Sequence, residues 1–170
     1  MYADNQTTAA DGVKIVFSGP VDRTTDGKQK CVMTAVSRGD DTFVHSSDVR
    51  GLCSPDAAGF ILQQRPQVLY LDGPDAEARA GGEAVLQRPD CLERIQQVLE
   101  STPVTTLILD HHIMRERGGL RLLEPLFSLA LKKGITVRTA AGTRGEENNL
   151  LEARRRVLYA CDPSEEEPDA

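Results

Sequence analysis

The sequence predicts a single α/β domain built on a mixed sheet, and three observations carry that reading. Short apolar runs at residues 67–71, 105–109 and 135–139 alternate with stretches of helical periodicity, the pattern of strands joined by crossover helices. Two earlier β-rich runs, 29–37 and 42–46, flank the turn Arg38-Gly39-Asp40-Asp41, which suits an antiparallel hairpin. The chain has 170 residues, enough for one core without disulfide or metal staples. Hairpin strands followed by strand–helix alternation give a mixed sheet with helices covering one or both faces.

The elements follow in order. Residues 1–12 are polar and read as a disordered leader, and Val13–Phe17 is a short apolar strand. After the hairpin, Ser54 is a natural N-cap and Pro55 a natural first helical residue for a helix over Pro55–Gln64. The strand at 67–71 runs into Asp72-Gly73-Pro74. Leu92, Ile95, Val98 and Leu99 fall on one side of an amphipathic helix over Pro89–Ser101. The strand at 105–109 stops at Asp110-His111-His112. A helix over about 120–133 carries Pro125 in or near its first turns. It ends on Lys132 and Lys133, which complement the helix dipole, and on Gly134 as left-handed cap. A last strand at 135–139 precedes a helix over about 147–160 expected to bury Leu150, Leu151, Val157 and Leu158. Residues 162–170 (DPSEEEPDA) form an acidic tail, leaving 13–161 as the folded domain.

Composition narrows the function classes. Twenty-six acids against twenty bases give a net charge of −6, which argues against general attraction to nucleic-acid phosphates. The triplet Arg154-Arg155-Arg156 reads as a solvated helix face. No apolar run is long enough to span a bilayer, and the expectation is a cytoplasmic chain with no membrane contact. Cys31, Cys53, Cys91 and Cys161 are scattered with no C-x-x-C pair, which excludes a zinc ribbon and leaves small core residues or incidental thiols.

In α/β sheets, ligand groups gather beyond the carboxyl ends of strands. All three histidines lie at such ends: His45 with Asp48 nearby, and His111 and His112 beside Asp110; Asp72 closes a further strand. Asp48 and Asp72 also read as turn residues capping local amides, and His45 as a hydrogen-bonded strand residue. Three polar groups directly after Leu107-Ile108-Leu109 are costly to bury without partners, and a carboxylate beside an imidazole is how a metal-binding histidine is held in one tautomer. Asp110-His111-His112 therefore reads as part of a site.

Five segments in register carry a resemblance. They are residues 16–21 (VFSGPV), 43–51 (FVHSSDVRG), 69–74 (LYLDGP), 107–112 (LILDHH) and 147–154 (ENNLLEAR). Together they resemble the C-terminal half of a mainly archaeal branch of metallo-β-lactamase-fold hydrolases. The resemblance implies half of an αββα sandwich, with zinc or another divalent metal at its edge activating water against an ester, amide or phosphodiester. It implies Asp48 as the bridging carboxylate and His111 as the late histidine ligand, with Asp110, His112 and Asp72 as auxiliary candidates. The sequence departs from that pattern twice. The H-x-H-x-D-H ligands of the N-terminal half are absent, and Arg23 stands where the branch carries a histidine after its Ser-x-Pro segment. A guanidinium cannot ligate a cation but can bind phosphate or carboxylate.

The ligands that remain suit one weak site, not a pair, since a catalytic zinc takes about three protein ligands. The expectation is thus a metal-dependent hydrolase by ancestry whose site is completed by a second copy or a separately encoded N-terminal half. The competing reading is a non-catalytic assembly module that has lost its metal. An Asp-His-His manganese phosphoesterase ranks lower, because Asp72-Gly73-Pro74-Asp75 has the wrong spacing for its Asp-x-Asp pair. A plain domain with polar turns ranks below hydrolase ancestry because of the five matching segments.

Overall fold

A computed structural model of the chain describes residues 3–23, 27–74, 89–115 and 119–161. Nine strands and five helices form within them: β1 (Thr7–Ala10), β2 (Val13–Phe17), β3 (Val21–Asp22), β4 (Lys30–Cys31), β5 (Thr34–Arg38), β6 (Asp41–His45), α1 (Pro55–Gln64), β7 (Val68–Asp72), α2 (Pro89–Ser101), β8 (Thr106–Asp110), α3 (Glu124–Lys133), β9 (Thr136–Arg138), α4 (Ala140–Thr143) and α5 (Arg155–Cys161). Seven strands make one mixed sheet in the order β1-β2-β5-β6-β7-β8-β9. The β1-to-β6 side is antiparallel, and β6, β7, β8 and β9 run parallel to one another. The small β3–β4 ribbon stands apart.

The pleat sorts the sheet into two unlike faces. Ala35, Val44, Leu69 and Leu107 lie in register on one face, and all four are fully buried. They share a core with Ala57, Ala58 and Ile61 of α1, Ile95, Val98 and Leu99 of α2, and Leu126 and Ala130 of α3. On the other face Ile15, Val36, Phe43 and Val68 form a second apolar row, each only half-buried and none joined to that core. The helices α1 to α3 thus cover one side of the sheet. The mixed α/β class expected from the sequence is what forms.

Several expectations need correction. Thr7–Ala10 of the expected leader pairs with β2 as an edge strand, because the turn at Asp11 and Gly12, both with positive φ, folds it back. The run at 29–37 is two strands, since Cys31 pairs with β3, and the buried Met33 then separates it from β5, which starts at Thr34. The helix expected over 120–133 opens as a 3-10 turn (Gly119–Leu123), and α3 proper starts beside Pro125. The helix expected over 147–160 shrinks to a 3-10 turn and α5, with Leu151, Val157 and Leu158 exposed rather than buried. The acidic tail at 162–170 and Asp75 lie outside the described residues.

Candidate metal centre

The parallel strands β7 and β8 end side by side, and the register sets Asp72 against Asp110. Beyond those ends, the loop after β6 carries Asp48, and a 3-10 turn (His111–Arg115) carries both histidines. The loops are pressed together closely. A Cβ on Gly51 would meet Pro74 Cα at 2.8 Å, and one on Gly73 would meet Ile113 Cβ at 2.4 Å. Ser47, Arg50, Leu52 and His111 all hold positive φ, a local cost that the packing around them must sustain.

Asp48, Asp72, His111 and His112 each offer one ligand atom, and these atoms lie within 4.8 Å of one another. Asp72 is the hub. Its Oδ2 accepts from the Arg50 amide at 3.0 Å, and its Oδ1 from the His112 amide at 3.2 Å. His112 Nδ1 lies 2.9 Å from Asp72 Oδ1, and His111 Nδ1 lies 3.2 Å from the same oxygen. The Asp72 amide donates to Ser46 Oγ at 2.9 Å, which fixes the residue from the backbone side.

Asp48 is divided between two tasks. Its Oδ2 forms a close ion pair with Arg23 Nη2, and Arg23 Nε donates to the Asp48 carbonyl at 3.1 Å. Its Oδ1 is buried and accepts no hydrogen bond among the described residues, with His112 Nδ1 3.5 Å away. Arg50 Nε stands 4.0 Å from the same oxygen, an ion pair without a hydrogen bond, and a metal cation would give this buried oxygen the close contact it lacks. The four residues could hold a metal ion.

Burial lowers the His111 pKa, opposed by Asp72 and reinforced by His112 and Arg115; burial lowers that of His45 as well. Tyr70 is pushed up to about 12 by burial and by Asp110, to which its hydroxyl donates at 3.1 Å. A cleft of about 440 Å³ opens onto Asp48, Asp72 and His111 and is walled by His45, Ser47, Tyr70 and Asp110.

The structure thus gathers Asp48, His111, His112 and Asp72 and leaves Asp110 outside the group, bound to Tyr70 and to the His111 amide. His112, read as auxiliary, is the buried histidine at 2% exposure; the His111 side chain is 46% exposed. Arg23, read as a phosphate or anion binder, takes the Asp48 carboxylate. Tyr70, Ser46, Arg50 and Arg115 shape the site without having been picked out in the sequence. Only the position of Tyr70 two residues before Asp72 offered a signal, since alternate strand residues share a face.

No protein-family model matches the chain. Comparison with curated proteins is more informative: the UPF0282 protein of Pyrobaculum arsenaticum is 32% identical over 99% of this chain and 53% of its own length. The chain is similar to archaeal UPF0282 proteins. That of Metallosphaera sedula is 32% identical over 96% of the chain and 53% of its own length, and that of Methanocaldococcus jannaschii 29% identical over 92% and 50%. The chain therefore spans about half the length of the curated relatives it matches. The name UPF0282 states no activity and makes no tie to the metallo-β-lactamase fold.

Proposed function

We propose that this chain supplies one metal centre of a metal-dependent hydrolase and needs further polypeptide to complete the working site. The observation that carries the reading is Asp48 Oδ1, buried without a hydrogen bond opposite His112 Nδ1. The ligands would be Asp48 and His112, with Asp72 and His111 closing the set, and zinc is the cation their chemistry suits best. Such a cation supplies Lewis-acid activation of water and of an ester, amide or phosphodiester.

The remaining roles belong to side chains. Arg23 holds Asp48 so that Oδ1 faces His112. Asp72 stands against Nδ1 of both imidazoles and would share the cation with whichever of those nitrogens gives up its proton. Tyr70 remains a neutral phenol and can donate to an oxygen in the cleft if it leaves Asp110. The need for further polypeptide is supported by the half-buried row of Ile15, Val36, Phe43 and Val68, and by the length of the relatives.

A second reading has its own support. The Arg23–Asp48 ion pair already offsets one carboxylate charge, as expected of an assembly module that manages without metal. Screening the zinc-loaded chain, joined to the polypeptide that completes its site, against nitrophenyl esters and bis-nitrophenyl phosphate separates the two. Turnover lost in Asp48→Asn and His112→Ala supports the hydrolase; turnover equal in these variants and the wild type contradicts it.

A further inference from the structure

His111 has two sides, and they face two different clefts. Nδ1 points to Asp72 in the metal centre, while Nε2 lies 2.9 Å from Arg115 Nη2. Arg115 belongs to the wall of a second cleft of about 540 Å³, to which His111 contributes its other edge. Arg155 and Asn149 line that cleft as well, and Met114, Leu150 and Leu151 add apolar surface.

We propose that this second cleft binds the phosphate group of a small organic phosphate. Two guanidinium groups and one amide offer more donors than a single carboxylate accepts, and a phosphate presents three acceptor oxygens. Arg115 spends one Nη2 contact on His111, and Arg155 is paired at 3.4 Å with Glu152, the one acid among the described lining residues. That leaves the described walls with one net positive charge and several guanidinium N–H groups to spend on a ligand. The apolar residues suit the organic part. Because both clefts meet at His111, a phosphate held on Arg115 and Arg155 places the rest of the molecule beside the metal centre. This placement rests on the hydrolase reading above; the phosphate site itself does not.

The test is a calorimetric titration of the untagged, metal-free chain with phenyl phosphate, compared with benzoate. Saturable binding is expected with a Kd on the order of 1 mM. Arg115→Gln and Arg155→Gln should each weaken it ~10-fold, as loss of a charge-assisted contact does. Arg144→Gln, at an exposed arginine paired with Glu146, should leave it unchanged. Asp48→Ala should also leave it unchanged, so phosphate binding that persists where zinc binding fails separates this site from the metal centre. Any of three results overturns the proposal: no saturable binding, benzoate binding as tightly as phenyl phosphate, or wild-type affinity in both arginine variants. Phosphate binding abolished in a folded Asp48→Ala chain overturns it too, because the second cleft would then not bind independently of the metal centre.

Discussion

Arg115 Nη2 sits 2.9 Å from His111 Nε2 and, because a guanidinium only donates, fixes His111 as the tautomer that carries its proton on Nδ1. That proton points at Asp72 Oδ1, 3.2 Å away. Ligation through Nδ1 requires the other tautomer, with the proton on Nε2 facing Arg115. Arg115 therefore opposes the metal-bound form of His111. Replacing it by Met, similar in length without a donor, should tighten zinc binding ~5-fold, about the worth of one hydrogen bond. A competition titration against a chromogenic chelator measures this; weaker binding in Arg115→Met would contradict the tautomer argument.

Asp72 is 2% exposed and holds two backbone amides and two imidazoles. Asp72→Asn keeps the shape but removes the charge and turns one acceptor into a donor facing other donors. Urea unfolding should show a loss of ~2–4 kcal/mol, the range for a buried polar network left unpaired. A change below ~0.5 kcal/mol, the scale of ordinary surface substitutions, would mean that Asp72 is not the hub.

Tyr70 carries a pH signature. Its pKa is raised from the ordinary value of 10.0 to about 12. Between those values the unfolded chain has released the phenolic proton and the folded chain has kept it. The associated stability is therefore fully present below pH about 10 and lost as pH rises through about 12. Phenolate absorbance should show a late phase near pH 12 that is missing in Tyr70→Phe. Its persistence in that variant would assign the phase elsewhere.

Two glycines make a matched pair. A Cβ on Gly73 would lie 2.4 Å from Ile113 Cβ, so Gly73→Ala must push apart the loops that carry Asp72 and His112. Thermal or urea unfolding should show a cost of ~1–3 kcal/mol, as overpacking does. In α1, a Cβ on Gly59 meets nothing within 4 Å, and Gly59→Ala should stabilise by ~0.5–1 kcal/mol. Equal effects in the two variants would show that the loops are less tightly packed than they stand here.

The broad architecture was legible because it rests on short-range pattern. The apolar runs of β7 and β8, Pro55 opening α1 and Gly134 after α3 each state a local rule that the fold obeys, while Ser54 takes the N-cap position without a side-chain capping bond. β1 was not legible: Thr7–Ala10 is exposed along its length, so no burial pattern marks it, and only pairing with β2 makes it a strand. The last helix failed for the opposite reason. Leu151, Val157 and Leu158 have helical spacing, but among the described residues they stay 56%, 51% and 39% exposed.

At the site, Asp48, Asp72, His111 and His112 could be named because strand ends collect ligand groups. Their ranking could not. Whether His111 or His112 is buried depends on the left-handed φ of His111, which turns the chain by one residue at the end of β8. Likewise, the partner of Arg23 is 25 residues away and is set by how the β3–β4 ribbon folds, which no local pattern records.

The central claim is that Asp48 Oδ1 and His112 hold a divalent cation. Elemental analysis of the untagged chain after incubation with zinc and removal of excess metal tests it most directly, with Asp48→Ala and His112→Ala alongside. The account predicts about one zinc per chain in the wild type and loss of it in both variants. A wild-type chain that retains no zinc, or variants that retain as much as the wild type, would contradict it.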